Sequence, residues 1–316
     1  MEKKTLEGKV HAICISEKRG TQKYAVPCAT FVKDHGIEGD AHAGNWHRQV
    51  SLLSYDKIKE FNEKGARVTD GAFGENLIVE GLDFRSMPVG TVLRCEDVIL
   101  RMTQIGKECH THCQIYQKMG ECIMPVQGVF AEVVQGGDIH TGSRMTAQLP
   151  DGTEPFRAAA ITVSDKGSRG EREDLSGPAM KEALSKAGIK VEEQIILPDE
   201  KDILKREMIR LCDQRQVDLL LTSGGTGFSE RDVTPEATME IMTRNAPGIA
   251  EAIRSESMKY TKRAMLSRGA SVIRNRTLII NLPGSPKAVK ESMDSIMDSV
   301  VHGLGILKGR ESECAR

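Results

Sequence analysis

Two stretches of this 316-residue chain concentrate residues able to do chemistry. In the C-terminal half, Thr222-Ser-Gly-Gly-Thr-Gly-Phe-Ser-Glu-Arg-Asp232-Val-Thr-Pro-Glu-Ala-Thr238 follows the apolar run Val217–Leu221 and leads into a helical pattern. Glycines at a strand-to-helix junction let the backbone approach a ligand, commonly a phosphate met by free N–H groups. No Gly-Lys-Ser/Thr follows, so this is not a P-loop, and the spacing does not fit G-x-G-x-x-G either. In the N-terminal half, Cys109-His-Thr-His-Cys113, with Cys122 nine positions later, gathers thiols and imidazoles. Zinc prefers such ligands, but no C-x₂-C pair is present, and an iron–sulfur site would want cleaner spacing. A thiolate activated by a nearby His or Arg, and ordinary burial, are the competing readings.

Further polar groups recur at comparable places. Ser164, Asp165 and Asp174-Leu-Ser176-Gly177 follow the run Arg157–Val163, and Asn281-Leu-Pro283-Gly284-Ser285 precedes the last helical pattern. Small residues, hydroxyls and free N–H groups near helix starts suit an oligo-anion. Asp165, Asp199 and Asp232 add carboxylates that could hold magnesium on nucleotide phosphates. The plainer alternatives are a tight turn for Gly224–Gly227, a helix start at Thr234-Pro-Glu with Thr234 as its N-cap, and a simple cap for Asp199. In the N-terminal half, Gly36–Ser51 is dense in ionisable groups and holds the single tryptophan, Trp46; its His42 and His47 are equally readable as hydrogen-bonded loop residues.

The elements that must position these groups differ between the halves. Short apolar runs (His11–Ile15, Val50–Leu53, Asn76–Val79, Val92–Cys95) between glycine turns, with one helix near Ser54–Lys64, predict a mostly-β barrel or sandwich. After residue 157 strands and helices alternate. Strands are expected at Arg157–Val163, Val191–Leu197, Val217–Leu221 and Thr277–Asn281. Helices are expected from Ser176, over Lys201–Gln214, Pro235–Thr243 and Ile249–Lys259, and from Pro286 onward. That alternation predicts an α/β three-layer domain with a mostly parallel sheet, whose ligands bind beyond the carboxyl ends of its strands. Residues 149–156, with two prolines and a glycine, form a linker between domains at 1–148 and 157–316.

Composition excludes several classes. Hydrophobic residues are 39% and charged residues 28%, a balance typical of soluble globular chains, and the net charge of −1 offers no general attraction to nucleic acid or membrane. No membrane-length apolar run or signal peptide is present, so a cytoplasmic protein is expected. Eight cysteines in such a chain do not imply disulfides. Cys14, Cys28, Cys95, Cys212 and Cys314 lack convincing partners and read as bystanders.

Ser223-Gly-Gly-Thr-Gly227 with Arg231-Asp-Val-Thr-Pro-Glu-Ala-Thr238 resembles the signature of the MogA/MoaB molybdopterin adenylyltransferases. Thr162-Val-Ser-Asp165, Asp174-Leu-Ser-Gly-Pro178, Leu197-Pro-Asp199, Leu266-Ser-Arg268-Gly269 and Leu282-Pro-Gly-Ser-Pro286 extend the resemblance, in family order, over about Ala158–Lys308. The resemblance implies a homotrimer that adenylates molybdopterin with Mg-ATP and releases diphosphate. It implies that Ser223, Gly224, Gly225, Thr226, Gly227, Thr234, Ser267, Arg268, Pro283, Gly284 and Ser285 bind the pterin substrate. Ser164, Asp165, Asp174, Ser176 and Gly177 would lie at the nucleotide, and Asp199 and Asp232 would be the critical carboxylates, through magnesium or positioning.

Gly36-Ile-Glu-Gly-Asp-Ala-His42, Phe73-Gly-Glu-Asn76 and Met124-Pro-Val-Gln-Gly-Val-Phe130 resemble a MOSC domain over about Lys9–Ala147. That implies a β-barrel binding the molybdenum cofactor or delivering sulfur through a cysteine. Cys109, Cys113 and Cys122 compete for the place, and the Cys113-Gln-Ile context fits best. A cysteine desulfurase and a molybdate insertase are the partners implied. Both resemblances lead to one pathway, and fusion would raise the effective concentration of an intermediate at the second site. The rival reading is a non-catalytic molybdopterin carrier, for which the Asp199 and Asp232 carboxylates would have less use.

Overall fold

Runs rich in Val, Ile and Leu, interrupted by glycine turns, close into a barrel in the N-terminal half of the computed structural model, which describes residues 5–109 and 114–311. The chain divides into two units between Asp151 and Gly152. His110, His112, Cys113 and Cys314, singled out in the sequence, lie outside the described residues.

The first unit contains strands β1 (Thr5–Ile15), β2 (Tyr24–Val26), β3 (Cys28–Val32), β4 (Gly36–Ile37), β5 (Val50–Ser54), β6 (Leu77–Glu80), β7 (Val92–Cys95), β8 (Val98–Ile105), β9 (Val129–Gln135), β10 (Gly137–His140) and β11 (Arg144–Gln148). Helices α1 (Tyr55–Glu63), α2 (Gln114–Met119) and α3 (Met124–Gln127) lie between them. Seven strands run in the order β11-β7-β8-β9-β5-β6-β1, and β1 pairs back with β11 to close the barrel. Alternation sends Met145 and Ala147 of β11 inward, where they join Leu52, Leu77, Phe84 and Leu93. A second cluster under α1 packs Ile58 and Phe61 on Phe73, Ile78, Met124 and Phe130.

The second unit has strands β12 (Arg157–Val163), β13 (Lys190–Leu197), β14 (Leu219–Ser223), β15 (Arg244–Asn245), β16 (Ser271–Arg274) and β17 (Thr277–Leu282). Its helices are α4 (Asp165–Ser168), α5 (Ser176–Lys186), α6 (Lys201–Ile209), α7 (Thr234–Glu240), α8 (Pro247–Ser257) and α9 (Pro286–Lys308). The sheet order is β13-β12-β14-β17-β16-β15; the first four strands are parallel, and β16 and β15 are antiparallel. Ala158, Ala160, Leu219 and Leu221 face a core shared with α5 and α9. Ala159, Ile161 and Leu220 face another shared with α6 and α7. Covering on both faces is why these strands read as continuous apolar runs.

Three of the boundaries that differ from the sequence reading have a visible cause. The strand expected at Val217 begins at Leu219, because the Val217 N–H returns to Leu211 O and the Asp218 N–H goes to Arg157 O. The helix expected to reach Thr243 stops at Glu240, since the Thr243 N–H pairs with Ile273 O of β16. The helix over Lys201–Gln214 is α-helical to Ile209 and finishes in a wider π turn, Arg210–Gln214. Thr234 is not an N-cap: it is the first residue of α7, and its hydroxyl makes no cap bond.

The far end of this sheet, at the strand N-termini, is closed by charge. Asp218 accepts the Arg157 N–H at 2.7 Å and pairs with Lys308 Nζ at 2.5 Å, while Arg157 Nη2 donates to Gln216 O at 2.7 Å.

Candidate functional site

The loops after β12, β14 and β17 meet because the strands are parallel and end together. Hydroxyls sew them to one another. Ser176 Oγ donates to Gly284 O (3.1 Å), Ser223 Oγ to Pro283 O (2.8 Å), and the Gly224 N–H to Leu282 O (3.3 Å). Asp174 accepts the N–H groups of Ser176 and Gly177 (3.0 and 2.9 Å) and the Thr162 hydroxyl (3.0 Å), so it sets the start of α5. Ser164 caps α4 by accepting the Gly167 N–H, and Ser285 caps α9 by accepting that of Ala288. These hydroxyls and helix starts border a cleft of about 380 Å³, lined also by Arg172 and Leu175.

Gly224 has φ 109°, and a Cβ there would collide with Val163 O; Gly225 has φ 62°. Only glycine takes both positions without strain. A Cβ on Gly225 would lie 3.0 Å from Asp199 Oδ1, and one on Gly227 would lie 2.9 Å from Asp232 Oδ2. The loop therefore passes directly beside both carboxylates.

Asp165 and Asp199 hold each other. The Asp165 N–H donates to Asp199 Oδ2 (3.0 Å), and the Asp199 N–H donates to Asp165 Oδ1 (3.1 Å). Arg231 Nη2 lies 2.9 and 3.0 Å from the two Asp165 oxygens, and Nη1 donates to Glu200 at 2.9 Å. That guanidinium holds the Asp165 carboxyl below the usual range. Burial pushes Asp199 up, and the neighbouring charges of Asp165 and Asp232 add to the shift. Asp232 Oδ2 accepts the Ser229 N–H at 2.9 Å. Asp199 Oδ1 and Asp232 Oδ1 accept no hydrogen bond among the described residues. Asp199 is no helix cap, because Glu200 occupies that position.

Two of these residues are engaged within the protein. Asp165 is held by Arg231 and by the Asp199 N–H, and no cluster of three or more His, Cys, Asp or Glu able to hold a metal occurs among the described residues. Arg268 is engaged as well. It donates to Gly227 O (2.6 Å), Asp232 O and Glu236, while its N–H reaches Thr226 O (2.9 Å). Thus Arg268 clamps both ends of the 226–236 loop. Ser267 accepts the Gly269 N–H (3.3 Å). Thr234 Oγ1 is buried and has no hydrogen-bond partner among the described residues, while the Thr234 N–H donates to Gly225 O. Sequence reasoning missed Arg231 and Glu200. The acidic partner so near Asp199 was the available signal.

In the barrel unit, the Lys23 ammonium and Asp40 form a buried ion pair, and Asp40 also accepts from Asn76 Nδ2 (3.1 Å) and the His42 N–H (2.9 Å). Burial pushes the Asp40 carboxyl up, but hydrogen bonds from His42 and Lys23 outweigh it and hold it below the usual range. Glu75 is fully buried, accepts the N–H groups of Gly71 and Phe73, and is pushed by burial to about 7. Lys23 carried no signal in the sequence reading. His47 Nε2 pairs with Gln104 Oε1 (2.9 Å), and the Arg48 guanidinium lies 4.7 Å from the Trp46 ring and 5.5 Å from that of Phe130. Cys109 is exposed, while Cys122 is half-buried against the α1 cluster. Burial raises the thiols of Cys14, Cys95 and Cys212 to about 12, so they stay protonated; Cys28 is exposed.

Residues 159–302 match the family model described as "Probable molybdopterin binding domain", and residues 39–146 match that of the MOSC domain. The chain is 40% identical over 158 residues to a molybdopterin adenylyltransferase of Helicobacter pylori, covering 49% of this chain and 90% of that protein. It is 39% identical over 156 residues to one of Escherichia coli K12, covering 47% of this chain and 80% of that protein. A solved structure of a molybdopterin biosynthesis enzyme, MoaB, of Thermus thermophilus is 44% identical over 49% of this chain and 97% of its own, with a TM-score of 0.47. The chain is an α/β protein fused to a MOSC barrel. Through its C-terminal unit it belongs to the molybdopterin adenylyltransferase family. Among the described residues, no helix is long and apolar enough to cross a membrane.

Proposed function

We propose that the C-terminal unit transfers the adenylyl group of ATP to the terminal phosphate of molybdopterin. A phosphate oxygen of molybdopterin attacks the α-phosphorus, the bond to the β-phosphate breaks, and diphosphate leaves. Such transfers need positioning and charge neutralisation more than a protein nucleophile. The observation carrying this reading is the glycine loop running between Asp199 and Asp232, each with one oxygen unengaged.

Asp199 and Asp232 are the carboxylates that would hold a magnesium ion, which when bound neutralises charge on the ATP phosphates; magnesium commonly takes one or two carboxylates plus phosphates and waters. Ser223 and the backbone of Gly224–Gly227 would receive the molybdopterin phosphate. Ser164, Ser176, Gly177 and the Gly284–Ser285 turn would line the nucleotide side, with Asp174 holding the α5 start. Asp165 and Arg231 act by orienting Asp199. A homotrimer through this unit accompanies the reading.

For the barrel, the proposed role is binding of the molybdenum cofactor or delivery of sulfur to it. Exposure favours Cys109 over Cys122 among the described thiols, with Cys113 outside them. A cysteine desulfurase and a molybdate insertase would be the corresponding partners.

The test mixes the full chain with molybdopterin and Mg-ATP and follows diphosphate and adenylated pterin, with Asp232→Asn as control. Turnover that collapses in the variant supports transfer. Tight pterin binding without diphosphate from either protein would leave a carrier.

A further inference from the structure

Beside the glycine loop, lined in part by Asp232 and sharing no lining residue with the hydroxyl-lined cleft, lies a second hollow of about 390 Å³. Phe228 and Val233 form its apolar wall, and Glu230, Asp232, Glu236 and Arg268 its polar rim. Phe228 is 71% exposed, one residue beyond Gly227 and four before Asp232. Such exposure on a loop clamped by Arg268 is not explained by packing: no core cluster includes the ring. Glu230 is exposed, with no hydrogen bond or ion pair among the described residues. Glu236, in contrast, is held by Arg268.

The two hollows differ in chemistry. The first offers hydroxyls and helix starts, which suit phosphates and ribose. The second offers an aromatic face and an unengaged carboxylate. A flat heterocycle stacks on the former. A carboxylate accepts two hydrogens from an edge carrying a ring N–H beside an amino group, as a 2-amino-4-oxopteridine does. Adenine presents an acceptor nitrogen beside its amino group and matches the carboxylate poorly.

We infer that Phe228 and Glu230 are the specificity-determining residues for the pterin ring, Phe228 by stacking and Glu230 by accepting from its amino and ring N–H groups. This rests on the adenylyl-transfer reading only for which phosphate then reacts. With the ring seated here, the pterin's phosphate reaches back to the Gly224–Gly227 loop, and the nucleotide keeps the hydroxyl-lined cleft to itself.

The experiment is direct binding of molybdopterin to the full chain without ATP, followed by pterin fluorescence, in the wild type, Phe228→Ala, Phe228→Tyr and Glu230→Gln. Mg-ATP binding is measured separately for each. Phe228→Ala should weaken molybdopterin about tenfold and Phe228→Tyr should restore it, with ATP affinity unchanged within about twofold. Glu230→Gln should weaken molybdopterin several-fold, and should weaken 2-amino-4-oxopteridine competition in parallel. Loss of ATP affinity instead, or unchanged molybdopterin affinity in both Phe228→Ala and Glu230→Gln, overturns the assignment. Phe228-dependent pterin binding in a chain that makes no diphosphate would sink the transferase reading and leave this one standing.

Discussion

Asp165 and Asp199, at the ends of neighbouring strands, each donate a backbone N–H to the other's carboxylate, at 3.0 and 3.1 Å. The exchange fixes the side chain of Asp199 by the fold itself and turns its second oxygen toward Gly225. Arg231 completes the arrangement from the opposite flank by holding both oxygens of Asp165.

Asp199→Asn keeps a carbonyl oxygen that can still accept the Asp165 N–H, so it should fold normally. Its turnover should fall by on the order of a hundredfold or more, because the loss is of charge rather than shape. Diphosphate release under saturating substrates, compared with a melting curve, checks both halves. Because burial raises the Asp199 carboxyl, the acid limb of the wild-type rate profile should sit above the ordinary aspartate range.

Arg231→Ala should release Asp165 and tilt Asp199 without removing it. A fall in kcat of roughly tenfold is expected, milder than for Asp199→Asn, since a positioning group is lost. A loss equal to that of Asp199→Asn would show that Arg231 contacts the phosphates themselves.

Arg268→Ala removes the clamp on Gly227 O, Asp232 O and Glu236. Loosening should lower kcat and raise the molybdopterin KM together, with stability reduced by about 1–3 kcal/mol for the backbone carbonyls left unpaired. Unchanged kinetics would mean that the loop holds its shape without the arginine.

Gly224→Ala places a Cβ against Val163 O at φ 109°. A destabilisation of at least about 1–3 kcal/mol is expected from the backbone alone. Chemical denaturation of the second unit, followed by far-UV circular dichroism, measures it; a loss below about 0.5 kcal/mol would contradict the strain.

Glu75 gives the barrel an unusual pH dependence. Its folded-state carboxyl is pushed up from 4.5 to about 7, so the folded state binds its proton more tightly than the unfolded chain does. The stabilisation is complete below about 4.5 and is lost as pH rises through about 7; it amounts to roughly 3 kcal/mol. Urea unfolding followed by Trp46 should therefore show a steeper loss of stability from pH 5 to 8 in the wild type than in Glu75→Gln. Parallel pH profiles would refute it.

Much of the α/β unit was legible because strands buried on both faces leave unbroken apolar runs, as Arg157–Val163 does from end to end. The barrel was less so. Val98–Ile105 and Val129–Gln135 lack regular alternation, so the sequence reading does not mark them as strands despite the glycines that follow each. Motif order singles out Asp199 and Asp232, and the glycine loop passes beside both. The clamping role of Arg268 is not legible in the sequence, because its side-chain partners lie over thirty positions away and two of them are backbone carbonyls. Thr234 had the residue type of a cap but sits one step inside the helix.

The polar closure at the strand N-termini, where Asp218 joins Arg157 and Lys308, lies at the opposite end of the sheet from the glycine loop. Substitutions there should shorten the working life of the protein in the cell while leaving each turnover as fast as before. Durability and speed are therefore separately adjustable in this domain, and a lineage moving to hotter surroundings could retune one end without relearning the chemistry of the other.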